Sequence, residues 1–237
     1  MPENWVVALF HGRLKIKMGP NMRSILKSIF TTAFAYVMAT LSAFAQSGPA
    51  FPCDGNIYQV QSGQLRIFDP ITSTYQNVGP KNSSYNASGF NILDNYAYAS
   101  QGNRYIIRIA ADGTIERLYD IGFGSYSGDV DFSNNYWLRR SNTRYARIDL
   151  ATGTFVNVDF TGVGGGTAPG GGPADVAYDQ NGSDEYLIGF SGGGTLYRYN
   201  ITTNEKENIS VPGLPGGGYG ATWTDSNGRL FLSLIHI

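Results

Sequence analysis

Residues 147–158 read Arg-Ile-Asp-Leu-Ala-Thr-Gly-Thr-Phe-Val-Asn-Val. Apolar and polar side chains alternate, a tight turn follows at Ala-Thr-Gly, and the alternation resumes, which predicts two strands and a hairpin. The same phrase recurs as Arg66-Ile-Phe-Asp-Pro-Ile-Thr-Ser, Arg108-Ile-Ala-Ala-Asp-Gly-Thr and Arg198-Tyr-Asn-Ile-Thr-Thr-Asn, at arginine intervals of 42, 39 and 51 residues. A period of that size marks one supersecondary unit repeated along the chain.

A second signature precedes the hairpins: Gly89, Gly128, Ala174 and Gly220 are read as matching positions, 39, 46 and 46 residues apart. One unit then comprises a short inner strand of small residues (129–132), a second strand (136–139), a third carrying the Arg-Ile-Asp phrase (145–150) and a fourth (154–159). Four strands in such a period predict an all-β fold, a β-propeller with four-stranded blades, about four to five of them visible and the ring incomplete. Small residues suit the crowded axis, and larger ones fill the space between blades. A β-sandwich is the competing architecture, although it gives no reason for one phrase to recur in register.

The ends read differently. Arg23 and Lys27 precede a mostly apolar run at 28–41, and Ala43-Phe44-Ala45 offers a cleavage site, so residues 22–45 read as a signal peptide. An uncleaved anchor is the alternative; its polar interruptions make it short for a span of about 20 residues. Residues 1–21 are expected to be non-native upstream sequence, 46–233 the propeller, and 234–237 an artefactual tail. The expected location is secreted or at the surface of a bacterial cell, with no membrane span once the signal is cleaved.

Removing residues 1–45 takes away five basic residues and one acid, moving the formal net charge from −1 to −5. Nucleic acid and anionic membrane are disfavoured as partners, since both need a basic footprint. Cys53 is the single cysteine, so no internal disulfide is available. Both histidines, His11 and His236, lie in the segments set aside as non-native. The repeat region thus offers no imidazole for acid–base chemistry, a Ser-His-Asp triad or a His-ligated metal. No catalytic residue, metal site or cofactor is assigned.

Asp54-Gly-Asn-Ile-Tyr, the repeated Arg-Ile-Asp-x-x-Thr-Gly and Asp225-Ser-Asn-Gly-Arg-Leu-Phe resemble an uncharacterised exported propeller-like domain of large bacterial surface proteins, often placed ahead of Ig-like repeats. The last phrase is also similar to repeats of the NHL and streptogramin-lyase-like propellers. The latter resemblance would imply a catalytic histidine and a bound metal, and residues 53–233 contain no histidine.

Tyr85, Tyr126 and Tyr219 each fall close to the start of an inner strand. They are the candidate ligand-binding residues, expected to ring one mouth of the channel and to contact a glycan or protein. Packing against neighbouring loops is the bland reading. Asp129, Asp131 and Asp175 could offer carboxylates to Ca²⁺, but they lack EF-hand spacing and read better as turn caps. The repeat arginines read as packing stems and ion pairs. Residues 162–173, rich in Gly and Pro, read as a floppy connection between blades. The expectation is a non-enzymatic binding or adhesion module at the cell surface. The alternative is a propeller lyase or hydrolase with its catalytic residues in blades outside this sequence.

Overall fold

The computed structural model describes residues 7–10, 13–16, 48–52, 54–214, 218–224 and 228–235, divided into two units, Met1–Gln46 and Ser47–Ile237. In the first unit β1 (Val7–Phe10) and β2 (Arg13–Ile16) pair as an antiparallel hairpin. The expected signal peptide and Cys53 lie outside the described residues. Among the described residues no helix is long and apolar enough to cross a membrane.

The second unit is a β-propeller. Its first sheet holds β3 (Ile57–Gln61), β4 (Gln64–Asp69) and β5 (Thr74–Val78). Its second runs β6 (Tyr85–Asn91), β7 (Tyr96–Gln101), β8 (Tyr105–Ile109) and β9 (Ile115–Asp120). The third runs β10 (Gly128–Val130), β11 (Asn135–Arg139), β12 (Arg144–Asp149) and β13 (Phe155–Asp159). A short β14 (Thr161–Gly162) leads to the fourth sheet, β15 (Ala177–Asn181), β16 (Asp184–Ser191), β17 (Thr195–Asn200) and β18 (Glu205–Ser210). The hairpin β19 (Gly218–Thr224) and β20 (Leu230–Ile235) follows. Within each of these sheets the blade strands pair antiparallel with their sequence neighbours. The strands run within a residue or two of the bounds expected from alternation, as they must when both faces of every blade need apolar cover.

Three apolar clusters fill the spaces between sheets. Leu65 of the first packs with Ala99, Ile107 and Ile109 of the second. Tyr98 and Ile106 meet Val130, Tyr136, Leu138, Ala146 and Ile148 of the third. Trp137 and Tyr145 meet Val176, Leu187, Tyr197 and Tyr199 of the fourth. Neighbours in sequence therefore serve opposite interfaces: Tyr136 and Leu138 face back, and Trp137 faces forward. Burying an Ile, Leu or Phe contributes roughly 1.5–3 kcal/mol, so no blade is stable without the sheets beside it.

Strand register corrects two details of the repeat. Arg108, Arg147 and Arg198 occupy one rung, paired across to Tyr98, Trp137 and Ile188. Those partners pair in turn to Gly89, Asp129 and Ala177 on the inner strands. The structurally matching inner positions are therefore Gly89, Asp129 and Ala177, and not Gly89, Gly128 and Ala174. The offset arises in the turn that follows: Gly89 stands nine residues before its partner Tyr98, and Asp129 eight before Trp137. The other correction is Arg66. Asp69 and Asp149 match, because each carboxylate accepts from the amide two residues on (Ile71 N, 2.8 Å; Ala151 N, 2.7 Å). Arg66 stands three residues before its aspartate and Arg147 two, so Ile67 takes the rung and Arg66 turns to the other face, where it bonds Gln61.

Candidate functional site

The three candidate tyrosines have different fates. Tyr85 opens β6 buried (7% exposed) in the first interface, its hydroxyl without a partner among the described residues and its pKa pushed up to about 12 by burial. Tyr219 is buried (3%), its ring 6.2 Å from that of Phe190. Tyr126 is 71% exposed, in a turn tied by the Ser125 hydroxyl, which donates to Ser127 O (2.9 Å) and accepts from Ser127 N (3.1 Å). Of the three, Tyr126 presents its ring to solvent.

A cleft of about 390 Å³ is lined by Arg140, Ser141, Thr143, Arg144, Asn157 and Asp159. The β11–β12 turn builds it, with Arg140 N and Ser141 N both donating to Arg144 O at 2.8 and 3.0 Å. Arg139 N donates to Ser127 O at 3.0 Å, so Tyr126 and Arg140 flank one hydrogen-bonded pair. Arg144 forks onto Asp159, Nε to Oδ1 at 2.5 Å and Nη2 to Oδ2 at 2.8 Å, and this bond holds the carboxyl below its ordinary range. Both partners are exposed, so the pair shapes the cleft more than it stabilises the fold. The Arg140 guanidinium lies 3.6 Å from the centre of the Phe123 ring, which itself meets Phe155 edge-on at 5.1 Å.

The second blade repeats the device. Arg104 Nε bonds both carboxylate oxygens of Asp120 (2.8 and 2.7 Å), and the Arg117 guanidinium sits 3.9 Å over the Tyr105 ring. Sequence reading missed these residues. Arg144 and Asp159 lie 15 positions apart, and Arg104 and Asp120 lie 16 apart, and only hairpin pairing makes them neighbours. The available signal was a basic turn after the second strand of the unit.

The aspartates near the axis serve two roles. Asp131 is buried and capped, accepting from Ser133 N (2.9 Å), Asn135 N (2.8 Å) and Trp137 Nε1 (2.8 Å), which is turn chemistry. Asp129 and Asp175 are struts between blades: Asp129 accepts from Tyr178 N at 2.7 Å and Asp175 from Thr222 N at 3.2 Å. Desolvation raises both carboxyls to about 7, against the opposing pull of backbone donors, and repulsion from a neighbouring aspartate adds to the rise. The described residues contain no group of three His, Cys, Asp or Glu placed to hold a metal.

Two of the repeat arginines do act in ion pairs: Arg108 with Glu116 at 2.5 Å, and Arg198 with Glu207. Arg147 lies over Trp137.

The glycine-rich connection is fixed, not floppy. Thr161 and Gly162 pair in parallel with Glu205 and Lys206 as a fifth strand. Lys206, 1% exposed, sends its ammonium to Pro169 O (2.7 Å) and Gly171 O (2.6 Å), between the rings of Tyr197 and Tyr199. Asn208 Nδ2 holds Gly170 O at 2.9 Å. Gly171 has φ +77°, and a Cβ there would meet the Tyr197 hydroxyl at 2.7 Å. Composition suggested a linker because the clamp comes from a strand more than 30 residues away.

No curated protein matches this chain. Among solved structures, the chain is similar to the hydrazine synthase of Kuenenia stuttgartiensis at 13% identity and TM-score 0.45, over 70% of this chain and 50% of that one. It thus spans about half the length of that protein. The pattern described as "Repeat of unknown function (DUF6923)" matches residues 55–235, which are the propeller blades, and the chain belongs to that family.

Proposed function

We propose that this chain is an exported, non-enzymatic propeller module that binds a glycan at the bacterial cell surface through the rim carrying Tyr126. The observation that carries the reading is the polar cleft at the β11–β12 turn, joined by the Arg139 N to Ser127 O bond to the segment that carries Tyr126. Its donors and acceptors come from Arg140, Ser141, Thr143, Asn157 and Asp159, and exposed Tyr126 precedes the residue whose carbonyl accepts from Arg139 N. Flat rings flanked by amide, hydroxyl and guanidinium groups suit a polyhydroxylated ligand, which offers apolar ring faces and many hydroxyls. Export is supported by the basic–apolar–small pattern of residues 22–45.

A glycan-array screen of the full chain tests the reading, with Tyr126→Ala and Asn157→Ala as site variants. Binding to a defined set of glycans, weakened about tenfold or more by either change, supports it. Silence across the array, binding untouched by both variants, or turnover of a bound glycan would overturn it.

A further inference from the structure

The rim of the second and third blades carries more positive than negative charge. Arg104 and Arg144 are matched to Asp120 and Asp159. Arg117 and Arg140 have no ion pair among the described residues, and each guanidinium lies over an aromatic ring, Tyr105 at 3.9 Å and Phe123 at 3.6 Å. A ring beneath a guanidinium fixes its plane and leaves its N–H edges directed outward. It thus lowers the entropy lost when an anion docks. Phe123 belongs to the connection leaving the second blade, so the Arg140 stack joins the two blades at the rim. The local surplus stands out in a chain whose formal net charge is −1, so short-range contact and not long-range attraction would select the ligand.

Resting on the glycan-binding reading above, we propose that the ligand is an anionic glycan lying along the rim of the second and third blades, its acidic groups held by Arg117 and Arg140. Two guanidiniums on consecutive blades favour a chain with repeated acidic groups over a single charged sugar. Carboxylate and sulfate both accept bidentate bonds from a guanidinium.

Titration calorimetry of the full chain with polygalacturonate (carboxylated), dextran sulfate (sulfated) and dextran (neutral) tests this. Arg117→Gln, Arg140→Gln and the double variant are compared with Arg147→Gln, which removes the same charge from an exposed arginine at mid-strand. Circular dichroism melts establish that each variant is folded. The proposal expects one or both charged polymers to bind and dextran not to. Each rim variant should weaken binding by about tenfold and the double variant should abolish it, while Arg147→Gln stays near wild type. Preference between the two charged polymers identifies the acidic group. Equal binding of dextran, or Arg147→Gln matching the rim variants, overturns the anionic proposal. Dextran binding that Tyr126→Ala removes would do so while leaving the glycan-binding reading standing; no binding to these polymers and a silent array would remove both.

Discussion

The Lys206 ammonium donates to the carbonyl oxygen of Gly171 at 2.6 Å, from a strand to a loop 35 residues earlier. Lys206→Met strips both carbonyls of their donor. The expected cost is about 1–3 kcal/mol, with faster amide exchange concentrated in residues 162–173. Burial pushes the Lys206 pKa down to about 8 from an ordinary 10.5, so between those values the unfolded chain holds the extra proton. The stability difference due to this group therefore rises from pH 8 to pH 10.5. Urea midpoints at pH 7.5 and 10 should show that rise in the wild type and lose it in Lys206→Met.

Asp129 and Asp175 act in the opposite window. Their folded-state values of about 7 lie above the ordinary 3.8, so folding takes up protons between about pH 4 and 7. Their contribution is full below pH 4 and is lost as pH rises through 7. Asp69, Asp120 and Asp159 are held low, so their contribution persists above 3.8 and fades only in stronger acid. Thermal midpoints should accordingly increase from pH 7.5 to pH 5, and Asp175→Asn should flatten that slope.

Gly153 has φ +73°, and a Cβ there would land in the ring of Tyr119, whose hydroxyl bonds Leu150 O at 2.8 Å. Gly153→Ala should cost more than the roughly 1 kcal/mol of positive-φ strain, because ring and backbone must both move. Paired with Tyr119→Ala, the cost measured by denaturant titration should shrink, since the clash is gone.

Tyr85 and Tyr136 make a matched test of buried hydroxyls. The Tyr136 hydroxyl bonds Ala87 O across the second interface, and that of Tyr85 has no partner among the described residues. Tyr136→Phe should lose about 1–2 kcal/mol, while Tyr85→Phe should leave stability unchanged or raise it. Equal losses in denaturant titration would contradict this difference.

The sequence determined the architecture. Alternation of period two, turns of Asx type and a recurrence near 40 residues leave few folds that bury both faces of every unit, and the strands stand almost where that pattern puts them. What it could not supply was parity and neighbourhood. One added residue, Phe68, before Asp69 turns Arg66 to the opposite face, although both phrases open on Arg-Ile. Tyr85, Tyr126 and Tyr219 each stand shortly before the Gly read as opening an inner strand. Yet the adjacent blade buries two of them and leaves the third exposed, since cover depends on what packs from outside the unit. The Arg140 cleft and the Lys206 clamp likewise join groups from separate strands, and their geometry exists only once hairpins close and sheets stack.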